Sequence, residues 1–189
     1  MAETLTVVKI GGSLYDLPDL RSRLQRWLDR LPGRILLVPG GGRTTDVIRD
    51  FDAVHSLGEE RSHWLALRAL ALNAVCLADL LPDAKVIAHP SAAQMRLSIL
   101  DALLFAKSDE RFQPSSCLPH SWTVTSDSVA ARAAIVGNAV RLVLLKSVTI
   151  PADMDWAEAG RQGFVDPHFA EVLRQAPTLA VEAINFRAG

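Results

Sequence analysis

The sequence predicts an α/β fold: a three-layer αβα sandwich with a mainly parallel central sheet. Three observations lead there. Short apolar, β-branched runs alternate along the chain with amphipathic helical stretches, the pattern of right-handed strand–helix–strand crossovers. With 189 residues, 49% of them apolar, the chain is long enough to bury a real core as one domain. No internal repeat or low-complexity linker divides it.

The elements follow in order. Residues 4–10 (TLTVVKI) form a buried strand closed by Gly11-Gly12. Leu17, Leu20, Leu24, Trp27, Leu28 and Leu31 recur at helical spacing with arginines between them, and Pro32-Gly33 stops that amphipathic helix. Residues 35–38 are a second strand, cut by Pro39 and three glycines, and Val47, Ile48 and Phe51 mark another amphipathic helix. Residues 64–81 are apolar nearly all round, which suits a central or interface helix; Arg68, Asn73 and Asp79 interrupt them as a membrane span would rarely tolerate. Residues 85–88 are a weak strand. Residues 91–108 read as helical at first and strand-like near 103–105, and 112–120 as a Pro/Ser-rich loop. Residues 122–125 read as a strand end leading into a helix through Val129, Ala130, Ala133 and Val136. Residues 141–148 (RLVLLKSV) are a clear strand. Asp166-Pro167 offers an N-cap and an N1 proline to a helix through Phe169, Val172 and Leu173, and 178–184 are the last strand.

Charge and cysteine content narrow the function. A net charge of −1 argues against a nucleic-acid or anionic-membrane surface as the main task. Cys76 and Cys117 cannot build a disulfide framework, and the N-terminus lacks the basic and apolar regions of a signal peptide. The expectation is a soluble, cytoplasmic protein. Of the 20 basic residues only Lys9, Lys85, Lys107 and Lys146 are lysines, so a lysine at a strand end calls for an explanation.

Ligands of an open α/β sheet bind beyond the carboxyl ends of its strands. Three features fall there: Lys9 to Ser13 (KIGGS), Gly40-Gly41-Gly42-Arg43, and Thr125-Ser126-Asp127-Ser128. Glycines after a strand let backbone N–H groups approach an anion, and a following helix N-terminus favours phosphate. One glycine turn is ordinary in such loops; two, one with a lysine and one with an arginine, point to phosphate. A lysine just inside a buried strand is costly without a partner, for which a bound phosphate would account. Asp127, at a helix start, is also what a dipole-stabilising residue would look like, and Lys146 could be a solvent-facing edge residue. The sequence lacks GxxxxGK[ST], HExxH, GxSxG and HRD, and its five histidines show no metal-ligand spacing. Gly40-x-Gly42-x-x-Thr45 only approaches a dinucleotide fingerprint, after the second strand, which disfavours an oxidoreductase.

Taken together, VVKIGGSLY (7–15), ILLVPGGGR (35–43), WTVTSDSVAARAA (122–134) and RLVLLKSV (141–148) resemble the amino-acid kinase family, in the family's order and over most of the chain. His63-Trp64, Leu118-Pro119, Lys146 and GFVDPHF (163–169) resemble its small branch of aminomethylfuran phosphate kinases in methanofuran-type cofactor biosynthesis. The resemblance implies an amino-acid (carbamate) kinase-like sandwich, one domain over residues 1–189, with the acceptor side at roughly 1–120 and the nucleotide side at roughly 121–189. It implies an ATP-dependent kinase that extends a phosphate monoester to a diphosphate with Mg²⁺. Lys9 would contact the transferring phosphoryl group, with Gly11, Gly12 and Ser13 binding phosphate. Gly40, Gly41, Gly42, Arg43 and Ser126 would hold the small-molecule acceptor. Asp127 would organise the catalytic lysines or Mg²⁺, and Lys146 would lie on the nucleotide side. Substituting either Lys9 or Asp127 is expected to abolish turnover at nearly unchanged melting temperature. The 64–81 helix is expected to build a homodimer or higher homo-oligomer.

One departure matters. Where many members of the family read Asp-Val-Asp-Gly, this chain reads Ser147-Val148-Thr149-Ile150. The alternatives are a non-catalytic nucleotide-binding or regulatory module of the same fold, or a kinase for an amino-acid-type carboxylate.

Overall fold

A computed structural model describes residues 3–188. Six strands form one fully parallel sheet in the order β3-β4-β2-β1-β5-β6. They are β1 (Leu5–Ile10), β2 (Arg34–Pro39), β3 (Lys85–Ile87), β4 (Leu97–Leu100), β5 (Arg141–Lys146) and β6 (Ala180–Asn185). The chain enters at the centre, winds outward through β2 on one side, and later returns to pair β5 against the free side of β1. That reversal opens a crevice beyond the carboxyl ends of β1 and β5, where doubly wound sheets bind ligands.

Because side chains alternate across a strand, each inner strand feeds two cores. Leu5, Val7, Leu36, Val38, Leu142 and Leu144 face one side; Val8, Ile10, Ile35, Leu37, Val143 and Leu145 face the other. Helix α1 (Leu20–Leu28) covers the second side through Leu20, Leu24 and Leu28, a buried stripe at four-residue spacing. Helices α4 (Ala102–Phe112), α5 (Ser126–Val136) and α7 (Phe169–Leu173) pack on the first. Helix α2 (Arg43–His55) packs on α3 (Glu59–Leu80). α3 straddles both cores, with Leu67 and Leu70 in one and Ala74 and Leu77 in the other. By length and composition it could cross a membrane; its buried residues instead contact the sheet and α4.

Three local expectations are corrected. Residues 91–108 run strand then helix, not helix then strand: Leu97–Leu100 is a fully buried strand between β2 and β3, and the Asp101 side chain accepts from the N–H of Leu104 (2.9 Å) to start α4. A four-residue buried strand has no period to distinguish it from a helix, so the capping aspartate was the informative signal. Residues 122–125 are irregular because β5 occupies the place beside β1. Asp166 does not cap α7, which starts from His168; its carboxylate is engaged with α5. The short helix α6 (Trp156–Arg161), capped by Asp155, was not anticipated.

Candidate active site

Lys9 shares the side of β1 that carries Leu5 and Val7, and Lys146 the side of β5 that carries Leu142 and Leu144. Both therefore point at α5. There Asp127, in the first helical turn, stands between them: Lys9 Nζ lies 2.9 Å from Asp127 Oδ1, and Lys146 Nζ lies 2.8 Å from each carboxylate oxygen. All three residues are buried. The cost of burying Lys9, for which a bound phosphate would account, is met by a protein carboxylate shared with the second lysine.

Two lysines flank one aspartate in a poorly hydrated site, and a second buried carboxylate, Asp166, is near enough to act on Lys146. Burial by itself would raise the Asp127 carboxyl, but Lys9 and Lys146 together hold it below the usual carboxylate range. Lys146 is pushed down to about 8, by burial first and by the Lys9 charge second, with Asp127 opposing both. The triad is the kind of charge-poised cluster found where an anion reacts.

A cleft of about 190 Å³ opens onto Lys9. Its polar wall comprises Gly12, Ser13, Gly41, Gly42, Thr45, Asp46, Arg49, Thr125 and Ser126; its apolar wall comprises Leu67, Leu70, Trp122, Val124 and Val129. The two glycine loops meet backbone to backbone. A Cβ on Gly12 would fall 2.1 Å from the Gly42 nitrogen, and Gly42 itself adopts φ +57. A Gly12→Ala variant must push the loops apart. We expect a loss of about 1–3 kcal/mol in thermal melts together with lost acceptor binding.

The sequence-derived residues separate into groups. Lys9, Gly12, Ser13, Gly41, Gly42 and Ser126 line the cleft, and Lys146 stands behind Asp127. Gly11 donates its N–H to the Leu145 carbonyl (2.8 Å), joining β1 to β5 rather than facing a ligand. Gly40 is buried under the loop; Asn73 donates to its carbonyl (2.7 Å) and to that of Gly41 (2.8 Å). Arg43 lines a neighbouring groove with Tyr15, Asp16 and Cys76. The arginine in the cleft is Arg49, lying 5.2 Å from the Trp122 ring centroid and 2.7 Å from Asp46. Trp122 is anchored from its other side by donating to Asp52 (2.7 Å). Arg49 and Trp122 were missed. The faint signal was the second arginine, about two helical turns past the glycines, which pattern alone does not separate from a solvated one.

His63 also lines the cleft; burial, then the neighbouring His120, push it down to about 4, so it is neutral at pH 7. Among the described residues no group of three or more His, Cys, Asp or Glu is placed to hold a metal. Asp127 is saturated by two lysines and Asp166 by donors from α5. A Mg²⁺ ion here would ride on nucleotide phosphates, as this ion commonly does.

No protein-family model matches the chain. Over 151 residues, 79% of its length, it is 26% identical to [5-(aminomethyl)furan-3-yl]methyl phosphate kinase of Methanocaldococcus jannaschii. Over 81 residues, 41% of its length, it is 38% identical to uridylate kinase of Pyrobaculum arsenaticum. The matches span 66% of the first relative and 36% of the second. Among solved structures, uridylate kinase of Archaeoglobus fulgidus superposes with TM-score 0.64 at 16% identity, covering 96% of this chain and 90% of that one. UMP kinase of Ureaplasma parvum gives 0.65 at 13% identity, covering 97% and 90%. UMP kinase of Bacillus anthracis gives 0.66 at 12% identity, covering 99% and 89%.

Proposed function

We propose that this chain, which has the amino-acid kinase fold, is an ATP-dependent small-molecule phosphotransferase. The observation that carries the reading is the Lys9–Asp127–Lys146 centre at the head of a cleft lined by polar and by apolar residues. Phosphoryl transfer needs positioning and charge neutralisation more than covalent chemistry, and two lysine ammonium groups held in place beside glycine-rich loops supply both.

The acceptor the cleft suits is a phosphate monoester with a small unsaturated body: phosphate toward Lys9 and Gly12, ring between Trp122 and Leu67–Leu70. Aminomethylfuran phosphate has that chemistry, and the Methanocaldococcus relative is named for it. In the reaction an acceptor phosphate oxygen attacks the γ-phosphorus of ATP, the bond from that phosphorus to the β–γ bridging oxygen breaks, and ADP leaves. An ionised acceptor phosphate needs no general base. Bound Mg²⁺ would neutralise nucleotide phosphate charge. Lys9 holds the transferring group, Asp127 fixes both lysines, and Lys146 supplies the second ammonium group. The apolar wall disfavours an amino-acid carboxylate as acceptor, and the intact triad disfavours a merely regulatory copy.

The test is ATP consumption with Mg²⁺ across aminomethylfuran phosphate, UMP, isopentenyl phosphate, acetylglutamate, aspartate and carbamate. Turnover with the furan phosphate is expected; turnover only with the carboxylates would overturn the phosphate-acceptor reading. If Lys146 works as a cation, kcat/KM falls on the alkaline side with an apparent pKa near the value of about 8 held in the free protein. A flat profile to pH 9.5 would remove Lys146 from that role. The same shift bears on stability. Between pH 8 and 10.5 the unfolded chain binds more protons at Lys146 than the folded one, so this contribution grows as pH rises and is lost as pH falls through 8.

The proposal extends to a cytoplasmic homodimer. Helix α2 exposes Val47, Phe51 and Val54 at i, i+4 and i+7, and α3 exposes Leu72 and Val75. Light scattering at micromolar concentration is expected to give twice the chain mass; a monomer would remove this part.

A further inference from the structure

Asp127 sits in the first turn of α5, yet that turn is not capped by its own residues. Early helical N–H groups lack intrahelical acceptors; ordinarily the N-cap side chain accepts from the third residue, and that residue's side chain returns a bond to the N-cap N–H. In α5 the N-cap residue Thr125 makes no such bond. Both N–H groups donate instead to one distant carboxylate: Asp166 Oδ2 accepts from Thr125 N and Ser128 N, each at 2.9 Å, and from Thr125 Oγ1 at 3.0 Å. Asp166 Oδ1 accepts from Ser128 Oγ at 2.5 Å. Asp166 lies 38 and 41 residues further along the chain, just before α7, and is buried.

We propose that Asp166 is a positioning residue of the phosphotransferase centre, capping α5 from another segment so that Asp127 is presented squarely to Lys9 and Lys146, and balancing the lysines with a second negative charge. The inference rests on the phosphotransferase reading. The Asp127 carboxylate is turned to the lysines, with Oδ1 meeting Lys9 and Lys146 and Oδ2 meeting Lys146, and no N–H group of its own helix is recorded as donating to it. An outside carboxylate caps the helix instead. The charged groups facing the centre then come from four places: Lys9 on β1, Lys146 on β5, Asp127 on α5 and Asp166 ahead of α7. Burial and the Asp127 charge raise the Asp166 carboxyl, and the bonds from Ser128 and Thr125 resist that rise. Asp166 in turn pulls Lys146 upward, so its charge reaches the lysine that Asp127 holds.

Two variants separate the cap from the charge. Asp166→Asn keeps a carbonyl acceptor but removes the charge; Asp166→Ala removes both. Three readouts apply: kcat and KM, ¹³C titration of the lysine side chains (four in all, so Lys146 is readily assigned), and amide exchange over the first turn of α5. In Asp166→Asn the Lys146 midpoint is expected to move down, and kcat to fall roughly 10- to 100-fold, the usual effect of losing a group that orients a ligand. The acceptor KM should change little. Asp166→Ala should in addition exchange faster at residues 125–128. Unchanged Lys146 titration and kcat per folded molecule in Asp166→Asn would overturn the proposal and leave Asp166 as a tie between α5 and α7, even if Asp166→Ala fails to fold. Should the wild-type protein turn over no acceptor, the phosphotransferase reading fails by itself. Titration and exchange need no substrate, and still decide whether Asp166 sets the centre.

Discussion

Asp127→Asn is expected to lose both turnover and a large part of its stability. The carboxylate offsets two buried lysines, and removing it strands two like charges on one face of the sheet. Breaking a buried pair in this way costs about 3–5 kcal/mol. For a chain of this size each kcal/mol is roughly 2–4 °C of melting temperature. The sign with pH follows. In the variant the folded state resists lysine protonation, so the penalty is full at neutral pH and fades as pH approaches the unfolded lysine value of about 10.4. Melting at pH 7 and pH 9.5 should show the gap to wild type narrowing at the higher pH. An equal gap at both would mean that stranded lysine charge is not its cause. Sequence alone suggested that Asp127 and Lys9 would behave alike; counting charges in the structure separates them.

Lys9→Ala should abolish most turnover while sparing the fold. It leaves Asp127 with Lys146, a one-to-one pair with both 2.8 Å contacts intact, so no charge is stranded. Losing a charged donor aimed at the reacting group lowers kcat roughly 100- to 1,000-fold. Lys9→Met, which keeps most of the side-chain volume, controls for lost packing. Both should melt well above Asp127→Asn at pH 7. An active Lys9 variant, or one that unfolds like Asp127→Asn, would make Lys9 a structural residue.

The framework of the fold was legible because buried parallel strands and amphipathic helices leave strong periodic marks: β1, β2, β5 and α1 all stand where Val, Ile and Leu spacing put them. Where the marks fade, tertiary contacts decide. Residues 122–125 look strand-like, but Trp122 bonds to Asp52 and Thr125 to Asp166, and the neighbouring strand position is filled by β5. At the candidate site, the two strand-end lysines stood out in an arginine-rich chain, and the glycine loops by their spacing. That both lysines share one carboxylate follows from strand parity and the placement of α5, which need the register. Arg49, Trp122 and Asp166 enter the site only through side-chain contacts between segments far apart in sequence.

On the proposed reading, the Lys9–Asp127–Lys146 centre transfers phosphoryl from ATP to a phosphate bound in the cleft. The most direct measurement is ³¹P NMR of the wild-type protein with Mg²⁺, ATP and aminomethylfuran phosphate, run beside Lys9→Ala. Growing diphosphate resonances from the acceptor, matched by ADP, are expected, with the variant nearly silent. Release of inorganic phosphate without a diphosphate product, or equal product from both proteins, would contradict that reading.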